Sequence, residues 1–171
     1  MLKPLTQNLE KAEVFAQIEA QLKNFQFDIV AQDQERPWGG FFVIEPKQIK
    51  TFKEMFFKEV DIDLENNLSY SPKILLVAPN QKLSWQYHFR RSELWKLVAG
   101  EAAIARSETD EETPATAMIK DQVVKLAQGE RHRLIGSDGW GVVAEIWVHT
   151  DAGNPSDEDD IVRLQDDYAR K

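Results

Sequence analysis

The sequence predicts an all-β sandwich or barrel with helical segments ahead of it, and three observations support this. From about Lys73 onward, short apolar runs rich in Val, Ile and Trp follow one another at 74–78, 83–89, 94–98, 102–105, 122–126, 131–135 and 142–148. Turn-forming residues separate them: Pro79-Asn80, Ala99-Gly100, Gln128-Gly129 and Gly136-Ser137-Asp138-Gly139. No helical periodicity alternates with the runs, which disfavours a parallel α/β sheet. A further run at 40–44 adds one more strand.

Ahead of the strands, Leu5, Leu9, Ala12, Phe15, Ile18, Leu22 and Phe25 recur at steps of three and four. Glu10, Lys11, Gln17 and Lys23 fall between them, and Pro4 and Thr6 act as start signals. This predicts an amphipathic helix whose stripe must be covered, either by the chain's own core or by a second subunit. A second, shorter helix is predicted at 46–59. Pro46 suits its opening, and Ile49, Phe52, Phe56 and Val60 keep the helical step, with Phe57 out of it.

The 171 residues amount to about one domain. The net charge is −8 and unevenly placed: residues 1–100 hold 13 basic and 13 acidic residues, residues 101–171 hold 8 and 16. A nucleic-acid partner needs a basic face, and an anionic membrane surface would repel the acidic half. Both are excluded as expected partners. The acids concentrate at 108–112 and 157–160. The first run reads as a solvated loop, within an exposed connection at 107–116. With no cysteine, neither a disulfide framework nor a thiolate metal site is available. No apolar run approaches the ~18 residues of a membrane span, and the first residues lack the apolar core of a secretory signal. A cytoplasmic location is expected.

The chemistry concentrates at 83–93. As a strand, 83–88 points Leu83, Trp85 and Tyr87 to one face and Ser84, Gln86 and His88 to the other. Gln86 and His88 can therefore bite one metal ion. A turn at Arg90-Arg91 brings Glu93 back alongside, and His132, entering its strand after Gly129, offers a fourth ligand. Two imidazoles, a carboxylate and an amide oxygen suit Zn²⁺, Mn²⁺, Fe²⁺, Co²⁺ or Ni²⁺ better than Ca²⁺. One divalent ion per chain is expected. The alternative is that Gln86 and His88 are ordinary polar residues of a half-exposed strand.

The pattern Gln86-Tyr87-His88, four residues, then Glu93, followed by Gly129-Glu130-Arg131-His132, resembles the two metal-binding motifs of the cupin superfamily, with Gln where many cupins carry the first His. More narrowly, the chain resembles the cupin domain of type II mannose-6-phosphate isomerases, including a stand-alone subset described as phosphoheptose isomerases. RPWGGF at 36–41, the stretch 73–95, LAQGERHRLI at 126–135 and EDDIVRLQDDYAR at 158–170 carry the resemblance. It implies a double-stranded β-helix (cupin jelly roll) over 36–171, with 1–35 as a helical extension. It implies Gln86, His88, Glu93 and His132 as ligands inside the barrel, and an aldose–ketose isomerase acting on a phosphorylated sugar. The chain departs from the family at Phe89, Arg90 and Leu94, where histidines are usual, which points to an altered pocket rim. It departs also at Asn80, Ala127 and Ala169.

Other residues have two readings each. Glu145, in an otherwise apolar strand beside Val143 and Trp147, is either a general base lining the barrel or one half of a buried ion pair. Lys73 either serves substrate or is a strand-end lysine reaching water. Arg91, at the arginine position of the family motif, together with Arg163 and Arg170, are the candidates for binding the phosphate. The run 158–160 is either a solvated helix start or a holder of Arg163 and Arg170. Arg36 reads as structural, with Trp38 covering a barrel end. Trp85 is expected to pack outside the barrel under a helix or a partner, and His149 to be a surface or strand-end residue. The expected function is a metal-dependent sugar-phosphate isomerase working through an enediolate, with Glu145 and Lys73 as catalytic candidates. The alternative is a non-catalytic cupin that binds a sugar or sugar nucleotide as a sensor or accessory subunit. The N-terminal stripe and Trp85 together suggest a homodimer.

Overall fold

The computed structural model describes residues 2–5, 9–64 and 69–169. Helix α1 (Lys11–Asn24) starts later than Pro4 and Thr6 suggest; Thr6 lies outside the described residues. Its start is set by a capping box in which Glu10 and Glu13 each accept from the other's backbone N–H. Strands β1 (Ile29–Asp33) and β2 (Gly39–Ile44) follow. A 3₁₀ turn at Pro46–Gln48 then leads into α2 (Ile49–Phe56). The second helix is thus shorter than 46–59, and Phe57, the residue out of step, ends it. The β region comprises β3 (Tyr70–Val77), β4 (Trp85–Tyr87), β5 (Arg91–Ser107), β6 (Thr116–Ala117), β7 (Val123–Leu126), β8 (Arg131–His149) and β9 (Val162–Gln165).

The architecture rests on β5 and β8, which pair antiparallel along nearly their whole length, from Arg91↔His149 to Ser107↔Arg131. Two glycine-bearing segments expected to be turns are instead bends within these strands. The β5 ladder shifts register between Leu97 and Ala99 and again between Gly100 and Ala102. Gly100 sits there at φ +68, where a Cβ would lie 1.8 Å from the Trp140 carbonyl oxygen. Each long strand therefore serves two sheets. One runs β1-β2-β3, the 141–149 part of β8, the 91–97 part of β5, then β7. The other runs β9-β4, the 131–136 part of β8, the 102–107 part of β5, then β6. This is the double-stranded β-helix, or jelly roll.

Alternation along the strands sorts the core into two layers. Leu75, Val77, Trp95, Leu97, Leu134 and Val143 pack between the sheets. Ile74, Leu76, Leu94, Val98, Ala144 and Ile146 face the other way and are covered by Val14, Phe15, Ile18 and Leu22 of α1 and Phe52 and Phe56 of α2. The N-terminal stripe thus lies on the chain's own core, with Val14 buried in place of Ala12. β1, within the 1–35 extension, pairs with β2 and joins extension and barrel in one sheet. Trp85 is also fully buried, under the 107–116 connection, where its indole donates to the Asp110 carbonyl at 2.8 Å. Both apolar surfaces that suggested a second subunit are covered within the chain. The acidic run 108–112 does more than meet solvent: Asp110 pairs with Arg131 and Glu112 with the buried Arg133. Among the described residues, no helix is long and apolar enough to cross a membrane.

Candidate metal centre and cavity

Three strands bring the expected ligands together. Gln86 on β4 stands opposite His132 on β8 and Arg163 on β9. His88 follows β4 directly, where its carbonyl accepts from Gly129 N at 2.9 Å and ties the two motif segments together. Glu93, on β5, points between the sheets with Trp95 and Leu97. The ligand atoms of His88, Glu93 and His132 all lie within 4.8 Å of one another, and all three residues are buried. Gln86 is buried beside them, its Nε2 3.4 Å from His88 Nε2 and its Oε1 accepting from Ser84 Oγ at 2.5 Å.

The imidazoles are oriented by backbone. His88 Nδ1 lies 2.6 Å from the Asp160 carbonyl and His132 Nδ1 2.9 Å from the Glu130 carbonyl. A carbonyl only accepts, so each ring carries its proton on Nδ1 and aims the Nε2 lone pair into the site. Two pairs of acceptors then face one another: His88 Nε2 and Glu93 Oε1 at 3.3 Å, and His132 Nε2 and Glu93 Oε2 at 3.3 Å. Arg91 bridges the first pair, with Nε donating to Glu93 Oε1 at 2.7 Å and Nη2 to His88 Nε2 at 3.1 Å. The second pair has no hydrogen-bond partner. Two buried, unsatisfied acceptors facing each other call for a cation between them. The donor set fits a divalent ion.

Burial holds the His88 imidazole down at about 3, against the pull of Glu93. Burial alone would raise the Glu93 carboxyl, but His88, Arg91 and His132 hold it well below the usual range. Glu145 goes the other way. Burial, reinforced by the Glu93 carboxylate, pushes it up to about 7. Its Oε1 accepts from the Trp95 indole at 2.9 Å, and it stands level with Lys73 across the β3–β8 pair.

Lys73, Gln86, Arg91, Glu93, Glu145 and Arg163 line one cavity of about 70 Å³. Lys73 is buried, not a strand-end lysine reaching water: its Nζ lies 3.2 Å from the centre of the Trp147 ring and 2.6 Å from Glu158. Arg36 and Trp38 also line this cavity, and Arg36 is paired with Asp33 at 2.7 Å. Arg170 lies outside the described residues.

Several expectations change. Arg91 lines the cavity as expected, and its guanidinium also donates to Glu93 and His88. The run 158–160 starts no helix, and its segment pairs with Arg90 and Arg91. Of the altered rim positions, Leu94 is in the helix-side core and Arg90 is tied to Asp157; Phe89 is exposed. His149 is buried, bonded through Nδ1 to Ser156 N and through Nε2 to Ser71 Oγ. Glu158 and Asp160 were read from sequence only as part of the run 158–160, without their contacts to Lys73 and His88, and Trp95 was not read as a partner of Glu145. The excess of acids around 157–160 was the one signal for Glu158 and Asp160.

The family described as mannose-6-phosphate isomerase C-terminal matches residues 59–166. The xanthan biosynthesis protein XanB of Xanthomonas campestris pv. campestris is 27% identical over 79% of this chain and 23% of its own. A mannose-1-phosphate guanylyltransferase of Salmonella montevideo is 28% identical over 87% of this chain and 26% of its own. The chain spans about a quarter of the length of these relatives. Vicilin from hazelnut (Corylus avellana) shares the fold at a TM-score of 0.50 and 16% identity, over 74% of this chain and 32% of that one.

Proposed function

The chain belongs to the mannose-6-phosphate isomerase C-terminal family, and from that premise we propose that it is a metal-dependent aldose–ketose isomerase acting on a sugar phosphate, of the mannose 6-phosphate or heptose phosphate kind. The observation that carries this reading is Glu145, a buried carboxyl pushed up to about 7 in the cavity that Gln86 and Glu93 also line, Glu93 being the member of the His88–Glu93–His132 cluster that faces it. A group poised near neutrality can both take and return a proton, and isomerisation requires both from one base.

His88, Glu93 and His132, with the Gln86 amide, would hold the ion, which when bound supplies Lewis acidity toward a carbonyl. Trp95 occupies Oε1 of Glu145 and leaves Oε2 for the proton. Glu145 removes the proton from the hydroxyl-bearing carbon beside the carbonyl and returns it to the former carbonyl carbon, by way of an enediolate in which the hydroxyl proton passes from one oxygen to the other. The Lys73 ammonium, buried on Trp147, is a fixed positive charge for the developing oxyanion. Arg163 supplies a forked donor for the phosphate from the adjacent strand. The walls formed by Trp38, Trp95 and Trp147 keep water from the reacting carbons.

The test is isotope exchange. The protein loaded with a divalent ion is incubated in D₂O with mannose 6-phosphate, fructose 6-phosphate or sedoheptulose 7-phosphate. Formation of the aldose or ketose partner of at least one, with deuterium at C1 or C2, is expected. Binding of a sugar phosphate with neither interconversion nor label would replace the isomerase with the sensor or accessory reading.

A further inference from the structure

We propose that Arg91 and a divalent metal ion compete for one lone pair, that of His88 Nε2, so that the inner edge of the Arg91 guanidinium becomes an anion-binding group only when the ion is in place. The inference rests on the metal centre of the proposed function and gives Arg91 a conditional role in place of a standing phosphate clamp.

Arg91 is 4% exposed, and each of its guanidinium nitrogens has an acceptor. The outer edge is tethered to the segment after β8: Nη1 donates to Ser156 Oγ at 2.7 Å, the Asp157 carbonyl at 3.2 Å and the Asp160 carbonyl at 3.3 Å. Its face lies on the Trp147 ring, 3.6 Å from the centre. The inner edge takes the two acceptors that the ion needs, Glu93 Oε1 and His88 Nε2. With Nδ1 protonated by its bond to the Asp160 carbonyl, His88 has a single lone pair to give. Arg91 Nη2, at 3.1 Å, is the nearer of its two protein donors, with Gln86 Nε2 at 3.4 Å; an ion that takes the lone pair takes it from both. The tether and the indole hold the guanidinium where it is, so an ion taking Nε2 leaves Nη2–H without an acceptor. Arg91 lines the cavity shared with Lys73 and Glu145, so an anion entering it is the acceptor available to that N–H. A buried donor without a partner favours whatever anion supplies one, and a cation beside an ion weakens the ion's hold. Two consequences follow: Arg91 lowers metal affinity, and the ion raises anion affinity.

Calorimetry with Mn²⁺ alone should show Arg91→Met binding the ion at least tenfold more tightly than the wild type. Inorganic phosphate should bind the wild type at least tenfold more tightly with Mn²⁺ than without, and Arg91→Met should abolish that difference. Because the methionine loosens the segment after β8, the wild type is also read directly. Adding Zn²⁺ should shift the ¹H–¹⁵N resonances of the Arg91 guanidinium. Tight Zn²⁺ binding with unmoved Arg91 resonances, or equal or weaker Mn²⁺ binding in Arg91→Met with no phosphate coupling in the wild type, overturns the inference and leaves the metal centre standing. No ion binding by the wild type overturns the centre and the inference together.

Discussion

Asp160 positions His88 twice over: its carbonyl lies 2.6 Å from His88 Nδ1, and its carboxylate accepts the backbone N–H groups of Phe89 and Arg90, each at 3.0 Å. One residue of the late acidic run therefore sets both the proton position and the path of the chain at a proposed ligand 72 residues earlier. Asp160→Ala removes the carboxylate that fixes this path. Partners of this kind typically contribute about 10–100-fold to metal affinity. A loss of that size by calorimetry is expected, and an unchanged affinity would show that the carbonyl alone suffices.

The ligands should rank by chemistry. His88→Ala and His132→Ala should each lose most of the ion carried by protein purified without chelator. Gln86→Ala should lose less, because a neutral amide is the weakest donor of the four and its Oε1 is already engaged by Ser84. Elemental analysis reads all three, and full occupancy in both histidine variants would refute the four-ligand site.

Glu145→Gln should keep the ion and lower turnover by about 10²–10⁴. It should also change stability with a definite sign. The folded carboxyl, at about 7, binds a proton more tightly than the ordinary group at 4.5. Its contribution to stability is therefore complete below 4.5 and lost as pH rises through 7. In the metal-free protein the glutamine variant should gain on the wild type between pH 5 and pH 8, by up to about 3 kcal/mol. Parallel urea midpoints for the two proteins across that range would show that Glu145 is not perturbed in the fold.

His149 behaves oppositely. Burial, with Arg91, Lys73 and Arg90 nearby, lowers its pKa, while Asp160 pulls the other way. The folded state favours the neutral ring, so stability is full above the ordinary 6.5 and is lost as pH falls from there through the folded value. Protonation at Nδ1 would also remove the acceptor of Ser156 N. His88 adds to the acid loss in the same direction, so the comparison that isolates His149 is wild type against His149→Gln. The wild type should lose more melting temperature between pH 7.5 and 5.5, and equal losses would remove His149 from the account.

Phe15 tests where the N-terminal stripe is buried. It packs on Phe42 at 5.4 Å and Trp140 at 6.3 Å between ring centres. Phe15→Ala should cost about 3–5 kcal/mol, with unfolding midpoints independent of protein concentration. A midpoint that rises with concentration would place the stripe at a subunit interface.

Local periodicity was legible in the sequence because it is a property of neighbours. The step of three to four announced α1, the alternation at 83–88 put Gln86 and His88 on one face, and turn chemistry at Gly129 started the strand carrying His132. These local patterns, with the family resemblance, were enough for an all-β barrel and for the residues His88, Glu93 and His132 that the fold brings together, with Gln86 beside them. Glycine was ambiguous for a physical reason: positive φ serves a turn or a bulge equally well. At Gly100 that φ serves a bulge in β5, whereas the expected turn at 136–139 runs on as strand β8, with neither Gly136 nor Gly139 at positive φ. Only the tertiary structure decided that β9 exists, because a short polar strand shows itself through the edge it pairs with. It also decided where Arg91 points. A guanidinium's direction depends on which acceptors surround it, and here they come from β5, from His88 and from the segment 156–160, brought together by the closing of two sheets.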